Sequence, residues 1–142
     1  MIYLDTSIIV PLFIREAVSD KVHRWLAGIP AEMLVTSEWT KVEFASAIGS
    51  NVRFGRVAAP VAQGALQRFR EFFENSVTVL NPEPEDFSLA SVYIGRFELR
   101  LRAGDALHLA VATNHGAGEV CSLDRVLVAA GRRLNLSTRI PI

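Results

Sequence analysis

The sequence has few cysteines and no long apolar run. Cys121 is the only cysteine among 142 residues, so no internal disulfide can form and a reducing, cytoplasmic setting is expected. No apolar stretch approaches the roughly 20 residues that a helix needs to cross a membrane. The N-terminus also lacks the charged segment, apolar core and cleavage site of a signal peptide. These absences predict a globular protein without a membrane partner.

Arginine supplies almost all of the positive charge, although the formal net charge is zero. A neutral domain does not by itself indicate nucleic-acid binding. Lysine occurs only at Lys21 and Lys41, whereas arginine can bind phosphate through two parallel hydrogen bonds. The arginines include two groups: Arg96, Arg100 and Arg102, and Arg53, Arg56, Arg68 and Arg70. They are candidate phosphate contacts, unless they reflect an arginine-rich composition alone.

Several common catalytic arrangements are absent. The sequence has no Gly-x-Ser-x-Gly elbow, no Walker-type phosphate loop and no cysteine–histidine arrangement. An aspartyl phosphatase usually has a second acid two residues after its nucleophilic aspartate, but Ser7 lies at that distance from Asp5. A response-regulator domain would need a lysine after a late strand, where neither Lys21 nor Lys41 lies. The sequence therefore argues against covalent and phosphotransfer chemistry.

Short apolar runs alternate with helical patterns along the whole chain. Half of the residues are hydrophobic, which is typical of one globular domain, and we assign residues 1–142 to it. Strands are predicted over residues 2–4, 33–36, 77–80, 119–122 and 134–136. Helices are predicted over 6–16, 19–27, 37–53, 59–74, 85–95, 104–114 and 125–130. This alternation predicts an α/β fold with a parallel sheet covered by helices on both faces.

Four acidic residues occupy positions where a soluble domain seldom places a carboxylate: Asp5, Glu43, Asp105 and Asp124. Asp5 and Asp124 directly follow predicted strands, so both should lie at the carboxyl edge of the sheet, where α/β proteins bind ligands. Grouping buried carboxylates is costly, because like charges raise one another's pKa values. A divalent cation is the simplest way to hold the four together.

Asp5 and Asp124 also have a purely structural explanation, since each could cap the helix that follows it. Thr6 or Ser7 could cap the first helix instead. We therefore expect Asp5 to be free to bind a metal ion.

The two remaining acids and one histidine lie within predicted helices. Asp105 could serve only to interact favourably with the helix dipole, and Glu43 could pair with an arginine beside an apolar face. His108 lies one turn after Asp105 and is expected to be a packed helix residue, because no second histidine has metal-site spacing.

The ligand types indicate the ion and its chemistry. Oxygen ligands without cysteine or histidine pairs favour Mg²⁺ or Mn²⁺ over Zn²⁺. Such ions can polarise a phosphodiester, lower the pKa of a bound water and stabilise the leaving oxygen. Phosphodiester hydrolysis without a covalent nucleophile is therefore the predicted chemistry.

Four motifs in a fixed order span nearly the whole chain. They are residues 1–7 (MIYLDTS), 37–43 (SEWTKVE), 101–110 (LRAGDALHLA) and 122–124 (SLD). Together they resemble the motifs of PIN-domain ribonucleases, most closely the VapC-type toxins of toxin–antitoxin systems. The resemblance implies a three-layer α/β/α sandwich around a mainly parallel sheet.

The resemblance also implies a Mg²⁺-dependent endoribonuclease, with Mn²⁺ as the alternative ion. Its acidic quartet would be Asp5, Glu43, Asp105 and Asp124, with Asp5 and Asp105 as the foremost metal ligands. Thr6 and Ser122 match hydroxyl positions beside the site, and Arg96, Arg100 and Arg102 would hold the RNA backbone.

The family's partners would be a cognate antitoxin, whose C-terminal segment blocks the acidic pocket, and a second copy in a homodimer. Two residues depart from the family pattern. Gly104 stands where alanine is frequent and is expected to loosen the helix start, and Ser122 stands where threonine is common. Alternative functions are a non-catalytic scaffold for protein or RNA and a PIN nuclease in RNA processing.

Overall fold

Five short strands form one sheet in which every neighbouring pair is parallel. The computed structural model describes residues Met1 to Ile142. The strands are β1 (Ile2–Leu4), β2 (Leu34–Ser37), β3 (Thr78–Leu80), β4 (Glu119–Cys121) and β5 (Thr138–Arg139). Their order across the sheet is β3-β2-β1-β4-β5. The chain therefore builds outwards from β1 in one direction and then in the other, which places the switch point between β1 and β4.

Seven α-helices connect and cover the strands. They are α1 (Thr6–Phe13), α2 (Ser19–Ala27), α3 (Trp39–Arg53), α4 (Ala59–Asn75), α5 (Pro84–Gly95), α6 (Ala103–Asn114) and α7 (Arg125–Arg133). Short 3₁₀ turns occur at Ala31–Met33 and Phe97–Leu99. No helix has the length and apolar content that a membrane span requires.

Two apolar cores lie on opposite faces of the sheet, because successive strand residues point to opposite sides. One core receives Leu4, Leu34 and Cys121, together with Phe44 of α3 and Phe69 of α4. The other receives Tyr3, Val35 and Val120, together with Leu109 of α6 and Leu127 of α7. Both faces are thus covered by helices, and the predicted α/β/α sandwich is confirmed.

Two predicted boundaries at the end of the chain are wrong. The last strand is Thr138–Arg139, not 134–136, because α7 continues to Arg133 and Asn135 has a left-handed φ of 62°. Gly131 does not end α7. It lies within the helix, where a Cβ would collide with the side chain of Thr138. The glycine therefore permits β5 to approach α7 closely.

The first helix is also shorter than predicted. It ends at Phe13 rather than near residue 16, because Ile14 adopts an extended backbone with φ of −115° and ψ of 126°. The third helix begins at Trp39, because Ser37 still belongs to β2.

Candidate active site

The four predicted acids line one open, polar cavity of about 420 Å³ at the carboxyl edge of the sheet. Asp5 follows β1 and Asp124 lies just after β4, so the switch point brings both to the same place. Glu43 projects from α3, and Asp105 from the first turn of α6. The hydroxyl residues lining the same cavity are Thr6, Ser7, Ser46 and Ser50.

Asp5 is held in place by hydroxyl groups. Its Oδ2 accepts hydrogen bonds from Ser7 Oγ at 2.5 Å and from Ser122 Oγ at 2.7 Å. The same oxygen accepts a longer bond from the Ser7 backbone N–H at 3.3 Å. Asp5, and not Thr6 or Ser7, is therefore the N-cap of α1, which corrects the sequence-based assignment. Ser122, which directly follows β4, thus contacts this carboxylate directly.

Glu43 is anchored by Thr6 and His108. Thr6 Oγ1 donates to Glu43 Oε2 at 2.6 Å, and His108 Nε2 lies 2.5 Å from the same oxygen. Burial alone would raise the pKa of the Glu43 carboxyl. The hydrogen bonds from His108 and Thr6 and the charge of His108 outweigh burial, so this pKa is lowered.

His108 lies against the acids of the cavity, although its sequence pattern did not predict a place in the site. Its side chain is completely buried in α6, as expected of a packed helix residue, but Nε2 also lies 3.3 Å from Asp5 Oδ1. Burial would lower the pKa of the imidazole. The hydrogen bond to Glu43 and the charge of Asp5 outweigh burial and raise it. The sequence does contain a signal for this contact. His108 is the polar residue inside the apolar run 106–111, and a buried polar group needs a hydrogen-bond partner.

Arg102 bridges the other two acids. Its Nη2 donates to Asp124 Oδ2 at 3.1 Å, and its Nε lies 3.4 Å from Asp105 Oδ2. Burial raises the pKa of the Asp105 carboxyl, and this effect exceeds the opposing hydrogen bond and charge of Arg102. Asp124 also caps α7, since its Oδ1 accepts from the backbone N–H groups of Val126 and Leu127 at 2.7 and 3.2 Å.

Only one of the three predicted RNA-binding arginines lies at this cavity. Arg102 lines it, whereas Arg96 forms an exposed ion pair with Glu98 at 3.1 Å. Arg100 lines a separate cavity of about 260 Å³ whose other arginines are Arg125 and Arg133.

Gly104 lies where the start of α6 approaches Glu43 of α3. A Cβ at this position would overlap Glu43 Oε1 and would lie 3.3 Å from Trp39 Nε1. The Trp39 indole also lies close enough to Glu43 to help lower the pKa of its carboxyl. The missing side chain therefore makes room for the Glu43 carboxylate between α3 and α6.

The donor set of the cavity is compatible with a divalent cation. Four carboxylates from separate elements share one cavity, where the basic side chains in contact with them are Arg102 and His108. Donor atoms of Asp5, Glu43 and His108 also lie within 4.8 Å of one another. Carboxylate oxygens are ligands that Mg²⁺ and Mn²⁺ accept.

The fold and the cavity together define a doubly wound α/β protein with an acidic site at its switch point. The chain belongs to the PIN-domain family, whose sequence model matches residues 2–132. Ribonuclease VapC35 of Mycobacterium tuberculosis is 32% identical over 148 residues, which cover 99% of this chain and 97% of that protein. The resemblance to VapC-type PIN proteins is therefore confirmed.

Solved structures share this fold. VapC20 of M. tuberculosis, a toxin that cleaves the sarcin–ricin loop, has a TM-score of 0.74 at 23% identity and covers 92% of this chain and 95% of its own. FitAcB from Neisseria gonorrhoeae has a TM-score of 0.71 at 17% identity, with coverage of 99% and 98%. VapBC-1 from nontypeable Haemophilus influenzae has a TM-score of 0.65 at 20% identity, with coverage of 99% and 98%.

Proposed function

We propose that this protein is a metal-dependent endoribonuclease and the toxin of a toxin–antitoxin system. The observation that carries the proposal is the convergence of Asp5, Glu43, Asp105 and Asp124 on one open polar cavity. The near full-length similarity to a protein named as a ribonuclease supports the reaction type.

The four carboxylates would hold Mg²⁺, or Mn²⁺ in its place, with Asp5 and Asp105 as principal ligands. The ion would supply a water of lowered pKa and polarise the phosphodiester. Ser7 and Ser122 fix the Asp5 carboxylate, and Thr6 fixes that of Glu43. These hydroxyl groups keep the ligands oriented, so little rearrangement is needed on binding.

Arg102 is suited to guide the RNA backbone into the cavity. Its side chain is 79% exposed although it bridges Asp105 and Asp124. Once those carboxylates hold a divalent cation, the guanidinium is free to pair with a phosphate. Arg100 would bind the strand further away, since neither it nor Arg125 forms an ion pair within the protein. Arg96 would contribute less, because Glu98 neutralises it.

A cognate antitoxin would block the same cavity. The position of Arg102 supports this part of the proposal, because a guanidinium already spans two of the acids. An arginine supplied by an antitoxin would compete for the same carboxylates. Toxin–antitoxin complexes among the structural neighbours support such a partner, and we propose a homodimer as the state that binds it.

Cleavage of total cellular RNA by the purified protein, with Mg²⁺ or with EDTA, tests the activity. The Asp5→Asn variant should yield no products, because it removes a carboxylate charge from the cavity. The control is Asp20→Asn, whose carboxylate is exposed and pairs only with Arg15. Cleavage that survives Asp5→Asn would contradict the assignment and favour a binding scaffold. The absence of a small antitoxin-like gene directly upstream would instead favour a role in RNA processing.

A further inference from the structure

We propose that His108 is a positioning residue that holds the Glu43 carboxylate against Asp5 as a hydrogen-bond donor, and that it is not a metal ligand. The inference rests on the proposed function, because it concerns how the acidic site is prepared for its cation. It assigns a role to the one buried histidine of the site.

The contacts of Nε2 require a hydrogen on that nitrogen. It lies 2.5 Å from Glu43 Oε2 and 3.3 Å from Asp5 Oδ1, and both carboxylates only accept hydrogen bonds. The third neighbour is Thr6 Oγ1 at 3.2 Å, which donates its own hydrogen to Glu43. A nitrogen that donates in this way has no lone pair for a metal ion.

The other face of the ring is fixed by a buried chain of hydrogen bonds. His108 Nδ1 lies 2.8 Å from the Tyr3 hydroxyl, which donates its hydrogen to Ser37 Oγ at 2.9 Å. Nδ1 and the Tyr3 oxygen are therefore hydrogen-bonded to each other inside the core. The Tyr3 and His108 rings also meet edge to face, with centroids 5.7 Å apart. With contacts at both nitrogens and an edge-to-face aromatic contact, the ring cannot turn away from the two carboxylates.

This arrangement ties together three separate elements of the fold. Glu43 belongs to α3, His108 to α6, and Asp5 lies between β1 and α1. Without the imidazole, Glu43 would keep the Thr6 hydrogen bond but lose its contact with Nε2. Repulsion from Asp5 would then favour rotation of Glu43 towards solvent. Loss of a partner that orients a metal ligand typically costs 10- to 100-fold in metal affinity.

The test compares His108→Leu and His108→Gln with the wild-type protein by Mn²⁺ titration. The leucine variant should bind Mn²⁺ about 10- to 100-fold more weakly. The glutamine variant should recover most of that affinity, because its amide can still donate to Glu43. His115→Gln is the matched control, since His115 contacts Asp86 at 3.3 Å, away from the cavity, and it should leave the affinity unchanged.

Pulsed electron paramagnetic resonance of the bound Mn²⁺ separates a positioning residue from a ligand. The wild-type spectrum should contain no coupling to a directly coordinated ¹⁴N nucleus. A ¹⁴N coupling that disappears in His108→Leu would overturn the inference. Wild-type Mn²⁺ affinity in His108→Leu would also overturn it, as would a failure of the wild-type protein to bind Mn²⁺.

The proposed function can fail separately. Mn²⁺ binding with the expected pattern of variants, but without RNA cleavage, would retain the role of His108 and reject the nuclease. Mg²⁺-dependent RNA cleavage with unchanged Mn²⁺ affinity in His108→Leu would retain the nuclease and reject the role of His108. Circular dichroism shows whether the leucine variant folds. If it does not, His108→Gln decides: affinity near that of wild type supports a donor role, and a full loss overturns it.

Discussion

Replacing Gly104 by alanine should impair the site even though alanine is the better helix former. Alanine is favoured over glycine by about 1 kcal/mol in a helix interior. Gly104 is the second residue of α6, so propensity alone predicts a gain no larger than this. The new Cβ would overlap Glu43 Oε1 and meet Trp39 Nε1 at 3.3 Å. Glu43 would have to move by roughly 1 Å, since non-bonded atoms repel strongly at such distances.

The stability lost when Glu43 is displaced can be expressed as a change in the free energy of unfolding. Glu43 accepts from Thr6 at 2.6 Å and from His108 at 2.5 Å, and hydrogen bonds to a charged group contribute about 1.5–3 kcal/mol each. Water replaces part of this loss, because the Glu43 side chain is 26% exposed. We expect the helix gain to be outweighed, with a net destabilisation of about 1–2 kcal/mol. A displacement of 1 Å can also lower the cleavage rate by about 100-fold.

Urea unfolding and RNA cleavage by Gly104→Ala would test this reasoning. Gly64→Ala is the control, because a Cβ there would meet only the flexible end of Arg68 at 3.3 Å within α4. The control should be more stable by about 0.5–1 kcal/mol and fully active. If Gly104→Ala gains as much stability and cleaves RNA at the wild-type rate, Glu43 is not confined by this glycine.

Two further predictions concern Arg102 and Cys121. Arg102→Gln should bind Mn²⁺ more tightly, since Asp105 and Asp124 lose a competing cation, and should lower the salt slope of RNA binding by about one. Anisotropy titrations over a range of salt measure that slope, and an unchanged slope would argue against a phosphate contact. The pKa of the Cys121 thiol is raised to about 12, mainly by burial and to a smaller extent by the charge of Glu119. The folded protein should therefore resist iodoacetamide at pH 8, and stability should fall from about pH 9 to 12, where only the unfolded thiol ionises. Cys121→Ala should make that fall smaller; a remainder above about pH 10 is expected from Tyr3, because burial also raises the pKa of its hydroxyl. Rapid alkylation of the native protein would contradict this prediction.

Local patterns were sufficient to predict the placement of Asp5 and Asp124. Each follows an apolar run, and parallel strands bring their carboxyl ends to one edge of the sheet. Thr138 could not be assigned in the same way, because β5 has only two residues and depends on pairing with β4. Short strands of this kind form through their neighbours and leave little pattern in the sequence.

The partners of the acids were much less predictable. Glu43 and His108 are 65 residues apart, and their contact depends on how α3 packs against α6. Gly104 illustrates the same limit: its sequence context is that of a helix start, whereas its role depends on a carboxylate that arrives from α3. Hydrophobic periodicity places a helix against a sheet, but it does not specify which polar groups then meet.

The partners of the four acids divide the cavity into a fixed half and an exchangeable half. Asp5 and Glu43 are held by buried or half-buried donors, among them His108, whose side chain is fully buried. Asp105 and Asp124 share Arg102, whose side chain is 79% exposed. Water screens an exposed ion pair and leaves it little net stability, whereas breaking a buried one leaves an uncompensated charge. A cation entering the site would therefore displace Arg102 and leave His108 in place. In this arrangement, the carboxylates of Asp5 and Glu43 stay oriented before and after the cation binds. The guanidinium of Arg102, released by that binding, is exposed at the cavity, where a phosphate would approach.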